Sequence, residues 1–180
     1  MSEVAKNYGG ALFELCLEEG CEKQVLDEAR EVQRLMRENP EWLRLLSAPI
    51  IKKEERISML DTALKNAVHP YLLNFLKILC ANSYISRFDD CCKEFLNRYY
   101  EKNNIAVAKV ESAVPLSEEQ QNRLSEKLSE ISKKNIILQC STDPSLLGGL
   151  RVYINDRQLD GTVKHRLEKI KSNIAQNVLG

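Results

Sequence analysis

Histidine is nearly absent from this 180-residue chain, with two copies, and tryptophan occurs once. The pair His69 and His165 offers little for proton shuttling, and neither has a nucleophile beside it in sequence. No C-x-x-C pair occurs among the six cysteines (16, 21, 80, 91, 92, 140). Zinc sites are built from closely spaced Cys and His, so no metal is expected. Charge of one sign is also missing. Lys plus Arg equals Asp plus Glu at 26 each, and the stretches before and after Asn104 carry 15 against 17 and 11 against 9. That balance argues against a protein held to a polyanion by bulk attraction. Long apolar runs are lacking too: the richest window, YLLNFLKILCA (71–81), is broken by Lys77 and is far short of the ~20 residues of a membrane helix. The opening MSEVAKNYGG lacks the basic-then-apolar layout of a secretory signal. Neither G-x-x-x-x-G-K-[ST] nor G-x-G-x-x-G occurs, so no nucleotide cofactor is expected. Unbridged, mostly core-facing thiols in a reducing compartment follow from the cysteine pattern.

What is present up to about Asn103 is helix after helix. Val4, Tyr8, Ala11, Leu12 and Leu15 recur at helical spacing, and Gly20 ends that run. Val25, Ala29, Val32, Leu35 and Met36 repeat the pattern, and Asn39-Pro40 caps a short helix around Trp42, Leu43 and Leu46. Ile57, Leu60 and Leu64 mark a fourth helix, Pro70 opens a fifth, and Ile85, Phe88, Cys92, Phe95 and Tyr99 stripe a sixth. Short connections predict an antiparallel six-helix bundle. The fifth helix carries two stripes: Leu72, Leu76 and Leu79, and beside them Tyr71, Phe75 and Ile78. Either it is central and surrounded, or the second stripe is an exposed groove awaiting a partner helix.

After Asn104 the period changes to two. Ala106, Ala108 and Val110 alternate with Ile105, Val107 and Lys109, and IILQC (136–140) and LRVYI (150–154) read as further strands, with Asn155-Asp156 turning into a fourth. Ser117 and Gln120 form a capping box for a helix striped by Leu124, Leu128 and Ile131, and Val163, Leu167, Ile170 and Ile174 stripe a closing helix. The expected fold is therefore mainly α with a small α+β part. A helical bundle over 1–104 is followed by a small α/β domain over 105–180.

Gly148-Gly149 precedes a strand, which is the reverse of a phosphate loop, and is read as a turn device. Asp160-Gly161 opens the last helix with a carboxylate that would repel phosphate. Asp89-Asp90 and Glu54-Glu55 are adjacent residues that diverge on a helix and make no acid–base pair. Cys91-Cys92 is read as core packing, with a redox pair as the rival reading. The one basic face, Lys164, Arg166, Lys169 and Lys171, leaves a small nucleic-acid-binding factor as the alternative, although a solvated face is the ordinary reading. No polar cluster for an enzyme is visible.

Three stretches together, YGGALFELCLEEG, ILCANSYISRF and DPSLLGGLRVYINDRQLDGTVKHRLEKI, resemble the delta subunit of F-type ATP synthase, the family of the mitochondrial oligomycin-sensitivity-conferring protein. The likeness covers nearly the whole chain, and its most specific part holds Gly148, Gly149, Asp160 and Gly161. Gly9 stands where the family usually has alanine, and Tyr84 where it often has arginine. The resemblance implies a non-catalytic stator subunit that works in proton-driven ATP synthesis, without cofactor or metal. It would be held peripherally at the cytoplasmic face of the cell membrane through the complex. The bundle would hold N-terminal helices of alpha subunits through its first and fifth helices, and the second domain would bind the b subunits. Tyr8, Ala11 and Leu15 with Phe75 and Ile78 would then line the groove, and Gly9-Gly10 would let the partner helix approach closely.

Overall fold

The structure, a computed structural model, describes residues 2–146, 148–154 and, for their backbone, 157–160. The chain divides into two units, Met1–Tyr100 and Glu101–Gly180. It is mainly helical, with one small sheet.

In the first unit, α1 (Glu3–Glu18) starts at Ser2, whose hydroxyl accepts the Ala5 N–H at 3.3 Å. It stops at Gly20, in the left-handed region at φ +66. The Cys21 N–H reaches the Cys16 carbonyl at 2.9 Å and the Gly20 N–H that of Leu17 at 3.3 Å, which closes the end as a Schellman motif. α2 (Glu22–Glu38) buries Val25, Leu26, Ala29, Val32 and Met36. α3 (Pro40–Ser47) opens on proline, where the missing N–H costs nothing. α4 (Lys53–Leu64) buries Leu60 and Leu64 together with Arg56, whose Nη1 donates to the Leu46 carbonyl at 3.1 Å. α5 (Pro70–Ala81) is capped by His69, whose Nδ1 accepts the Tyr71 N–H at 3.3 Å. Its far end turns at Ser83, φ +60, where the Tyr84 N–H donates to the Leu79 carbonyl at 2.7 Å. α6 (Phe88–Lys102) completes the set.

One apolar cluster joins all six helices. Inside it Phe13 meets Phe95 edge-on, centroids 5.4 Å apart, and Phe75 leans on Phe88 at 6.4 Å. Three expectations need correction here. Ile85 is buried but lies in a 3-10 turn (Ile85–Arg87) ahead of α6, because the chain must recover from the left-handed Ser83 before a regular helix can start. Leu35, placed on the inner stripe of α2, is 38% exposed. Gly9-Gly10 does not face outward: a Cβ on Gly9 would run into the Cys91 carbonyl oxygen, and one on Gly10 would stand 2.5 Å from Arg98 Nη2. The close approach that these glycines allow is internal, between α1 and α6.

In the second unit, β1 (Ile105–Ser112) runs parallel to β2 (Asn135–Thr142), and α7 (Glu118–Ser132) is the crossover between them. β3 (Leu150–Ile154) pairs antiparallel with β1, and β4 (Arg157–Asp160) antiparallel with β3, giving the order β2-β1-β3-β4. The capping box forms as expected, with the Gln120 N–H on Ser117 Oγ and the Ser117 N–H on Gln120 Oε1. Ala108, Val110, Leu128 and Val152 make the small core. Ile131 is not part of it and is 75% exposed. It sits three residues on from Leu128, about 60° round the helix, and so off the face that Leu128 buries. β2 extends beyond the expected 136–140 at both ends. The closing helix over 163–174, with Gly161 and the basic residues 164, 166, 169 and 171, lies outside the described residues, as do His165 and the Asn155-Asp156 turn.

Candidate partner-helix groove

α1 and α5 run beside each other with an apolar trough of about 450 Å³ between them. Tyr8, Ala11 and Leu15 line it from α1, and Phe75 and Ile78 from α5, so the five residues expected there stand along one groove. Leu12, Tyr71 and Asn74 line it as well. Tyr71 was legible as part of the second stripe. Leu12 and Asn74 were not expected there, yet each sits four residues from an expected groove residue (Tyr8 and Ile78), a helical spacing that signals a shared face.

The lining is uneven in exposure. Leu15 is 40% and Ile78 49% exposed, whereas Phe75 is buried at 6%. Phe75 and Leu12 also line a smaller cavity of about 160 Å³ on the other side, so they separate two hollows. α5 is thus largely surrounded, and only a strip around Ile78 faces the groove. One end of the trough carries Tyr8, edge-on to Tyr84 at 5.9 Å, with the Tyr8 hydroxyl accepting from Asn82 Nδ2 at 3.3 Å. At the other end stands Tyr71, beside His69 at 5.0 Å. The Glu19 carboxylate there holds the Tyr71 hydroxyl above its ordinary pKa, with lesser contributions from burial and from Cys21. The α1 flank is pinned by Arg98, which bonds Glu94 at 2.9 Å and Glu14 at 2.7 Å. A second, shallower hollow of about 530 Å³ lies against α3 and α4 around Trp42, Leu45 and Met59.

The remaining chemical candidates resolve into structure. Asp89 accepts from Gln33 at 2.8 Å and faces Arg37 at 3.5 Å, while Asp90 bonds Lys93 at 3.1 Å. Glu54 and Glu55 are exposed in the first turn of α4, where carboxylates favour the helix N-terminus. Burial pushes the Cys91 thiol up to about 11 and raises Cys92 further, which keeps both neutral in the core. Among the described residues no group of three or more His, Cys, Asp or Glu could hold a metal, and no helix is long and apolar enough to cross a membrane. Gly148 (φ 148) and Gly149 (φ 80) both sit where side-chain-bearing residues are strained, directly before β3. Asp160 is the last residue of β4, opposite Arg151.

Comparison with known proteins agrees with this picture. The family described as "ATP synthase delta (OSCP) subunit" matches residues 4–174. ATP synthase subunit delta of Clostridioides difficile (strain 630) is 33% identical over 177 residues, covering 96% of each chain. That of Lachnoclostridium phytofermentans is 32% identical with 98% of each covered, and that of Gloeobacter violaceus 33% identical with 93% of this chain and 92% of the relative covered. A chain in the cryo-EM structure of the Toxoplasma gondii mitochondrial ATP synthase hexamer shares the fold, with a TM-score of 0.71 over 97% of this chain and 98% of that one, at 16% identity. None of these matches supports the nucleic-acid-binding alternative. With its helical first unit, its small mixed sheet and near end-to-end similarity to curated delta subunits, the chain belongs to the ATP synthase delta (OSCP) subunit family.

Proposed function

We propose that this chain is the non-catalytic stator subunit of a proton-driven F-type ATP synthase, a clamp between the alpha/beta hexamer and the peripheral stalk. The first unit, as an antiparallel bundle over 1–104, takes the amphipathic N-terminal helix of an alpha subunit into the trough between α1 and α5. The second, over 105–180, holds the b subunits. The observation that carries this reading is the trough itself: Ile78 and Leu15 stay in water on two helices whose other large aliphatic side chains pack into the core. Leaving two large aliphatic side chains half out is unfavourable in the free protein and is recovered when a partner's apolar face covers them. An i, i+3, i+4, i+7 anchor pattern fits such a groove. The hollow against α3 and α4 offers a second apolar surface, in keeping with a ring that contains more than one alpha subunit.

A torque-resisting clamp needs broad apolar burial and slow dissociation rather than titrating side chains. The protein would sit peripherally, at the cytoplasmic face of the membrane, through its partners. The test is titration of the full chain with a synthetic alpha N-terminal peptide and, separately, with the b C-terminal segment. Removal of residues 105–180 should abolish b binding, preserve peptide binding and leave ATP hydrolysis by the isolated hexamer unchanged. Loss of peptide binding together with b binding would refute the division of labour.

A further inference from the structure

The end of α1 carries two thiols that the groove does not use. The left-handed Gly20 makes Cys16 the third residue from the end of the helix and Cys21 the second beyond its cap, and the Cys21 N–H bonds the Cys16 carbonyl at 2.9 Å. In this motif the side chains at those two places turn toward each other and commonly share an apolar contact. Here both are cysteine. Cys16 is fully buried, and Cys21 is half-buried against the same core. A direct backbone bond between two residues brings their Cα atoms within reach of the ~4.4–6.8 Å that a disulfide requires. The Cys16 thiol is pushed up to about 12, first by burial and then by the charge and hydrogen bond of Cys21, so the two sulfurs sense each other through space.

No other thiols among the described residues share this arrangement. Cys91 and Cys92 are sequence neighbours on a helix, Cys80 is buried with its thiol on the Leu46 carbonyl, and Cys140 is exposed on β2. The corner is also not isolated from the groove. Leu15 immediately precedes Cys16, and Tyr71, which lines the trough, feels both Cys16 and Cys21.

We propose that Cys16 and Cys21 form a thiol–disulfide modification site, closed into an intrachain bridge by a low-molecular-weight disulfide. The half-buried Cys21 gives its proton to solvent, and its thiolate attacks one sulfur of the reagent. The reagent S–S bond breaks and one thiolate leaves. Cys16, once deprotonated, attacks Sγ of Cys21 and expels the second reagent thiol. Two protein thiols are oxidised to one disulfide, and one reagent disulfide is reduced to two thiols. Burial of Cys16 makes the second attack the slower step. The bridge ties the end of α1, next to Leu15, to the start of α2 and stiffens that rim of the trough.

The experiment uses the full chain carrying Cys140→Ser and glutathione disulfide near the ordinary thiol pKa of about 8.5, read by intact mass and a non-reducing peptide map. The expected product is two hydrogens lighter than the reduced chain, with residues 16 and 21 in one cross-linked peptide. It melts a few degrees higher, and reduction reverses both changes. Cys21→Ser keeps the fold and removes the product. The proposal is overturned if Cys21 stops as a glutathione adduct with Cys16 free. It is also overturned if the bridge forms only in denaturant, or if the bridged chain melts lower. Because the readout is covalent and needs no partner, failure here leaves the role of the groove untouched.

Discussion

The two units differ most in how much each buries by itself. Among the described residues, the first gathers 23 buried hydrophobic side chains into one cluster and the second only four, with half-buried Leu124, Ile136, Leu138 and Ile154 around them. At roughly 1.5–3 kcal/mol per fully buried large apolar side chain, the first unit has a surplus. It can keep Leu15 and Ile78 in water and hold a formed groove open. Among its described residues the second leaves Ile131 75% and Ile137 40% exposed. The trough on the first is therefore formed without a partner.

The sharpest test compares equivalent truncations in the two cores. Leu76→Ala removes a fully buried side chain from the centre of the first unit and should cost about 2–5 kcal/mol through the cavity it leaves. Leu128→Ala, in a core with four clustered buried side chains among the described residues, should fall at or below the low end of that range. Denaturant unfolding with hydrogen exchange on each unit gives both values. A larger loss for Leu128→Ala would invert the comparison.

Next in size are two substitutions on the first unit that separate folding from binding. Gly9→Ala gains about 1 kcal/mol of intrinsic helix propensity, but its Cβ meets the Cys91 backbone carbonyl, which cannot rotate away. Overpacking of this kind costs typically 1–3 kcal/mol, so a net loss in thermal melts is expected. Ile78→Ala should leave the melt nearly unchanged and weaken alpha-peptide binding by about 1–3 kcal/mol if it is a central contact. Phe75→Ala is not a clean probe, since Phe75 belongs to the core as well as to the groove. A low melt for Ile78→Ala with peptide affinity intact would mean that α5 is merely buried.

How much of this was legible follows the same division. Periodicity was strong wherever a helix faces a large core, so the helices of the first unit and the inner stripe Leu72, Leu76 and Leu79 could be read directly. Tyr8, Ala11, Leu15, Phe75 and Ile78 were legible as the lining of one trough because two apolar stripes on α5 are more than a surface helix needs, although Phe75 turned out to be core as well. What escaped was three-dimensional. Nothing in the spacing of Gly9-Gly10 says which neighbour comes close, and nothing in Ile85 announces a left-handed Ser83 two residues earlier. Ile131 fits the stripe template but lies about 60° round the helix from Leu128, outside the described core.

Alkaline pH should separate the units by a smaller margin. Burial raises the thiols of Cys16, Cys80, Cys91 and Cys92, all in the first unit, above their ordinary values. A group whose folded pKa is raised contributes stability that is complete below the unfolded pKa and is lost as pH climbs toward the folded one. Between pH ~8 and ~10 stability should therefore fall progressively and reversibly. Amides of the first unit should lose protection first. Equal loss in the second unit, whose described thiol Cys140 is exposed, would show that the thiols are not the cause.

The smallest effect is expected at acid pH and in the second unit alone. Asp143 opens the turn before β3. Its carboxylate accepts the Ser145 N–H at 2.9 Å, and Leu146 closes the turn by donating to the Asp143 carbonyl at 3.1 Å. Hydrogen bonds from the Ser145 side chain and backbone, aided by the charge of Arg151, lower its pKa below the ordinary carboxylate value. For a depressed pKa the stabilisation is present above the unfolded value, near pH 3.9, and disappears as pH falls through the folded one. Ser145 and Leu146 amides should therefore lose exchange protection below about pH 4, while amides in the core of the first unit serve as the internal reference. Asp143→Asn keeps an acceptor oxygen and should retain the turn but abolish the pH dependence. If protection at Ser145 stays level through that window in the unsubstituted chain, the carboxylate is not what holds the turn, and Gly148-Gly149 must set its geometry by backbone conformation alone.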